Sequence, residues 1–60
     1  MTFTLTIKCD NAAFADGWCG TEVARILCDV AQQVAEGLEA EDHRLVFDVN
    51  GNSVGDWRAA

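Results

Sequence analysis

Apolar and polar residues alternate strictly through "TFTLTIKC": Phe3, Leu5, Ile7 and Cys9 point one way, Thr2, Thr4, Thr6 and Lys8 the other. A two-residue period with β-branched residues on its wet face predicts a half-buried strand. "DNAAFADG" breaks the alternation. Asp10 is placed to cap a single helical turn that sets Phe14 over the edge of the core and closes at Asp16-Gly17. The period then changes. Val23, Ile26, Leu27, Val30, Ala31 and Val34 recur at helical spacing, with Glu22, Arg25, Asp29, Gln32, Gln33 and Glu36 on the opposite side. Thr21 suits the N-cap, Glu22 the positive helix start and Gly37 the position after the last turn, where Leu38 can fold back.

"EAEDH" (39–43) then reads as an acidic loop, "RLVFDV" as a second strand, "NGN" as a turn and "SVGDW" as a third strand. The order β-α-β-β predicts an α+β fold with a three-stranded mixed sheet and one main amphipathic helix packed on one face. Residues 1–60 form a single domain. Strands one and two, joined through the helix, are expected to run parallel with a right-handed crossover. Strand three, antiparallel to strand two, lies either between them or at an edge. A two-residue Asn50-Gly51 hairpin puts Phe47 opposite Val54. A three-residue loop puts Leu45 opposite Trp57 and gathers Leu45, Phe47, Val49 and Trp57 on one face, so burial favours it.

The same stretch, "FDVNGNSVGDW", spaces Asp48, Asn50 and Asn52 like the ligands of a calcium loop. An EF-hand also needs glycine at position 6 and glutamate at position 12, where Ser53 and Ala59 stand. The stretch is therefore expected to be architecture.

Sixty residues lie near the lower limit for independent folding, where only ~60% of the unfolded chain's surface is buried. A deep substrate pocket would compete with the core for the same side chains, which favours a binding surface. Ten acidic residues against four basic ones give a net charge of −6. That balance opposes direct nucleic-acid binding and anionic membranes, and complements a basic protein surface. No membrane-length apolar run and no signal-peptide pattern at "MTFTLTIKCD" appear, so a cytoplasmic location is expected.

Cys9, Cys19 and Cys28 show no C-x-x-C spacing and are expected to be free thiols, with Cys9 in the core. With His43 they make irregular zinc spacing, and no phosphate loop or serine nucleophile motif is present. No catalytic, cofactor or metal residues are assigned. Trp18, between Gly17 and Gly20, suits an interface anchor or a lid on the core. Asp29 and Glu36 on the outer helix face, with Glu39, Glu41 and Asp42 beyond it, read as a solvated face or as a phosphate-mimicking ridge. Arg25 can pair with Asp29 or Glu22.

"CDNAAF", "EVARILCDVAQQV" and "FDVNGNSVGDW" resemble a set of small proteins encoded by bacteriophages and prophages. The likeness covers nearly the whole chain, and its most specific part is D-x-N-G-N-x-V-G-x-W, here Asp48 to Trp57. Some phage proteins of this size and acidity resemble anti-CRISPR inhibitors, which bind host CRISPR–Cas complexes and often block their DNA-binding surfaces. The resemblance implies a non-enzymatic inhibitor in the host bacterial cytoplasm. Its partner would be a host protein or ribonucleoprotein complex with a basic surface; the inhibitors share no motif, so the candidate contacts Trp18, Asp29, Glu36, Glu39, Glu41 and Asp42 are read from charge and the aromatic alone. The alternative is a phage accessory or regulatory protein that binds another protein. Two sheet edges leave both a monomer and a homodimer open.

Overall fold

A computed structural model describes residues 1–60, with strands β1 (Phe3–Ile7), β2 (His43–Phe47) and β3 (Ser53–Ala59) and a helix α1 (Cys19–Ala35). A single 3₁₀ turn, Ala12–Phe14, precedes α1. The β-α-β-β order is the one that the periodicity predicts. β3 lies between the other two strands and pairs antiparallel with both. β1 and β2 therefore run in the same direction, as a crossover helix requires, but never meet. Every hydrogen-bonded pair is antiparallel, so the sheet is not mixed in its pairing.

The central place suits β3, the longest strand, which buries Val54, Trp57 and Ala59. Trp57 faces Leu5 across the ladder, and the Phe3 ring lies 5.4 Å from the Trp57 ring. Gly55 sits opposite Ile7, where a Cβ would come within 1.8 Å of the Thr6 carbonyl oxygen. Only glycine permits β1 and β3 to approach this closely. α1 closes one face of the sheet. Phe14, Ile26, Val30, Val46, Val54 and Trp57 form the core, and the half-buried Leu38 folds back against it. The Trp57 indole N–H donates to Gln33 Oε1 at 3.1 Å, which pins the central strand to the helix.

Several local expectations change. Asn11, not Asp10, caps the 3₁₀ turn: its Oδ1 accepts the Ala13 N–H at 3.0 Å while its Nδ2 donates to Asp48 Oδ2 at 2.7 Å. An amide does both jobs where a carboxylate can only accept. α1 starts at Cys19 with Trp18 in the cap position and no side-chain cap, three residues before the expected cap Thr21. Cys9 lies beyond the end of β1 and is exposed rather than buried, its thiol 3.8 Å from the Ile7 carbonyl oxygen. Leu27, expected inside, is 48% exposed. The core stripe runs through Ile26 and Val30, and Leu27 lies about 100° round the helix from Ile26.

From His43 to Val46 the pairs follow the two-residue register, not the three-residue one favoured for burial, and the hairpin departs from it only at its tip. Phe47 pairs with Ser53 across a five-residue loop, Asp48–Asn52, and a bulge falls between Val46 and Phe47. The cause is Asp48. Its buried carboxylate accepts from Asn50 N at 2.8 Å, Asn52 N at 2.9 Å, Asn52 Nδ2 at 3.1 Å and Asn11 Nδ2. Gly51, at φ +84°, makes the reversal. With Asp48 inside, Val46 becomes the buried residue of β2 and Leu45, Phe47 and Val49 turn outward. No helix is long and apolar enough to cross a membrane.

Candidate protein-binding surface

Of the residues turned out by the hairpin, Val49 meets the start of the helix. Asp16 (φ +56°) and Gly17 (φ +85°) reverse the chain after the 3₁₀ turn, and Trp18 emerges 61% exposed at the start of α1. Trp18 is therefore not a lid on the core. Val49, 66% exposed at the hairpin, stands across a hollow of about 390 Å³ whose walls include Trp18, Ala12 and Ala13. A second hollow of about 150 Å³, between α1 and β2, is lined by Leu45, Phe47, Asp29 and Gln33. Arg25 borders both. Trp18 and Val49 thus share one hollow beside α1, whereas Leu45, paired with Asp56, belongs to the far face and outer edge of the sheet. Single exposed apolar residues are ordinary on a surface, whereas an exposed tryptophan facing a second apolar side chain across a hollow has the make-up of an interface anchor.

An ion-pair relay holds the hairpin against the helix. Glu22, expected on the solvent side, is buried. Its carboxylate accepts from Arg25 Nε at 2.7 Å, Arg25 Nη2 at 3.1 Å and the Val49 N–H at 2.7 Å. Arg25 also donates to Asp29 Oδ2 at 2.8 Å and to the Phe47 carbonyl at 3.1 Å. It therefore takes both of the partners open to it in the sequence. The Arg25 guanidinium holds Glu22 below the usual carboxylate range, against partial desolvation and with help from the Val49 N–H. Desolvation raises Asp48, but hydrogen bonds from Asn52, Asn11 and Asn50 outweigh it and hold that carboxyl low as well.

The acidic residues divide differently from a single ridge. Trp18, Asp29 and Glu36 are spaced by eleven and seven residues, which places them on one line along α1 spanning about 27 Å. Trp18 and the acidic loop therefore stand at opposite ends of the helix. Glu36, Glu39 and Glu41 are exposed and make no salt bridge. Glu36 closes a helix with no basic residue in its last turn, so the negative helix end and three carboxylates add to one another. Asp42 is half-buried and structural: its Oδ2 accepts the Glu39 N–H at 3.0 Å and its carbonyl accepts the Ala59 N–H at 2.9 Å.

On the far face of the sheet, Asp56 Oδ2 lies 2.7 Å from His43 Nε2 and 3.3 Å from Arg58 Nη2. His43 first, then Arg58, hold the Asp56 carboxyl low. No three His, Cys, Asp or Glu side chains gather as metal ligands would, and the Asp48 oxygens are occupied by N–H donors. Compared with protein-family models, curated proteins and solved structures, the chain matches none.

Proposed function

We propose that the protein is a non-catalytic binding module: a phage-encoded inhibitor of the anti-CRISPR type that covers a basic, nucleic-acid-binding surface of a host complex in the bacterial cytoplasm. The observation that carries the binding reading is the exposed pair Trp18 and Val49, which face one hollow beside Arg25. In this reading Trp18 and Val49 supply the desolvated anchor. Asp29, Glu36, Glu39 and Glu41 steer a basic partner onto the helix and set its orientation. Asp42 acts indirectly, by holding the loop that presents Glu39 and Glu41. The inhibitory role and the CRISPR target rest on the sequence resemblance and the net charge of −6.

The test is capture of partners from a bacterial lysate that contains an active CRISPR effector, at low and high salt, beside a plaque assay in immune hosts. Salt-sensitive recovery of an effector subunit together with restored plaquing supports the inhibitor. Recovery of a different defined protein without restored plaquing moves the assignment to a phage accessory or regulatory protein. Reversing Glu36, Glu39 and Glu41 to lysine should slow association and weaken its salt dependence while leaving the fold intact.

A further inference from the structure

We propose that β1 is a self-association edge, at which two copies of the chain pair antiparallel, Leu5 opposite Leu5, into one six-stranded sheet. The backbone bonds of β1 show which groups are free. Thr2 exchanges both its backbone bonds with Ala60, and the Lys8 N–H donates to the Val54 carbonyl at 2.7 Å. The Thr6 carbonyl likewise points at β3, beside Gly55. An antiparallel ladder alternates at every second residue, so Phe3, Leu5 and Ile7 turn their N–H and C=O groups outward. Of these groups only the Ile7 carbonyl has a partner in its own chain, the Cys9 thiol at 3.8 Å. Phe3 is exposed, and Leu5 and Ile7 are half-buried. The other edge is guarded. β2 carries His43 and Arg44 and a bulge between Val46 and Phe47, devices that deter strand addition. β1 has none of them: no charged side chain, proline or glycine stands between Met1 and Ile7.

A second β1 fits this edge because the strand complements itself. With Leu5 on a two-fold axis, Phe3 faces the second copy's Ile7 and Thr4 faces its Thr6. The pairs Leu5–Leu5, Phe3–Ile7 and Ile7–Phe3 each exchange two backbone bonds, which satisfies every outward group of the strand. Apolar residues meet apolar ones on the core face, and threonine meets threonine on the open face, a favourable cross-strand pair. The axis stands normal to the sheet, so both helices lie on the same side of it. A foreign strand would find no charge to read along Met1–Ile7, and the net charge of −6 on each copy lies outside the paired strands. The guarded β2 edges stop growth at two copies. One short strand pair belongs to the weak class of interfaces, below about 1,200 Å², so dimers form only at micromolar concentrations or above. Pairing at β1 does not depend on what Trp18 and Val49 bind.

Sedimentation of the full chain from about 1 μM to about 1 mM, with a reductant to keep the three exposed thiols free, should show monomers passing to dimers and nothing larger. Two copies of like charge repel, so added salt should strengthen the dimer, the reverse of its effect on a basic partner. At dimer concentrations amide exchange at Phe3, Leu5 and Ile7 should slow by about tenfold, while Thr4 and Thr6, already bonded to β3, change less. Thr4→Lys with Thr6→Lys sets lysine against lysine across the axis, and Thr4→Glu with Thr6→Glu sets glutamate against glutamate. Each double variant should stay monomeric, and an equal mixture of the two, with opposite charges now facing, should form heterodimers. A chain that remains monomeric at about 1 mM would overturn the proposal. So would dimers whose Phe3, Leu5 and Ile7 amides gain no protection, growth beyond two copies, or undiminished dimers of the folded double-lysine variant.

Discussion

The Glu22 carboxylate, on the first turn of α1, accepts the backbone N–H of Val49 at 2.7 Å and binds Arg25 through two nitrogens. This contact fastens the tip of the hairpin to the helix and places Val49 across the hollow from Trp18. Glu22→Ala removes the acceptor and leaves the Val49 N–H and one side of the Arg25 guanidinium without their partner. The thermal midpoint should fall by several degrees and amide exchange at Val49 should accelerate. Glu22→Gln, which keeps one acceptor oxygen, should show a smaller loss of both. Unchanged exchange at Val49 in the alanine variant would separate the hairpin from the helix.

The pH dependence follows from the same carboxylates. Glu22 and Asp48 are held below their ordinary values of 4.5 and 3.8. The unfolded chain therefore takes up protons first as the solution is acidified. The stability that these groups contribute is fully present above their unfolded values and is lost as pH falls through the folded ones. The midpoint should be insensitive to these groups from neutrality to about pH 5 and drop below that. The drop should be shallower in Glu22→Gln. A pH titration of thermal unfolding reads both.

Gly55 and Gly20 make opposite predictions. A Cβ at Gly55 meets the Thr6 carbonyl oxygen at 1.8 Å, backbone that cannot step aside without separating β1 from β3. Gly55→Ala should cost about 3 kcal/mol or more, comparable with the whole stability of a domain this size. Gly20, in the first turn of α1, has nothing within 4 Å of its would-be Cβ. Gly20→Ala should stabilise by about 0.5 kcal/mol. Denaturant unfolding of the two variants distinguishes a steric need for glycine from an incidental one.

The parts of the fold that depend on local periodicity were legible in the sequence. The alternation in β1, the apolar stripe through Ile26 and Val30 and the Phe14 turn all appear where their spacing places them. The tip of the hairpin was not, because one buried side chain shapes it, although the pairs from His43 to Val46 follow the two-residue register. Asp48 draws N–H donors from Asn11, Asn50 and Asn52, and the contact with Asn11 joins residues 37 positions apart. A polar residue inside a run such as "RLVFDV" carries no mark of burial, and reversing that one assignment turns Leu45, Phe47 and Val49 outward. Glu22 was missed for the same reason: a charged residue on a helix flank reads as solvated until the hairpin packs on it. Trp18 was visible as a candidate because two nearby glycines isolate it. The hollow that it shares with Val49 required the packing of the hairpin tip on the helix.

Trp18 has little part in stability, being 61% exposed and making no side-chain cap. Trp18→Ala should shift unfolding by no more than about 0.5 kcal/mol. Phe47→Ser, at a half-exposed position of the edge strand, should also leave a folded protein. Circular dichroism and thermal melts of both variants check this, and establish them as reagents for binding.

The most direct measurement is quantitative capture of partners from bacterial lysate by the unsubstituted chain and by folded Trp18→Ala, side by side. An anchor in a desolvated interface is worth about 2 kcal/mol or more, a loss of roughly 30-fold in affinity. The account predicts that a partner retained by the unsubstituted chain is depleted to near background on Trp18→Ala. Equal recovery of the same partner on a folded Trp18→Ala would contradict it and move the binding surface away from the Trp18–Val49 end of the helix.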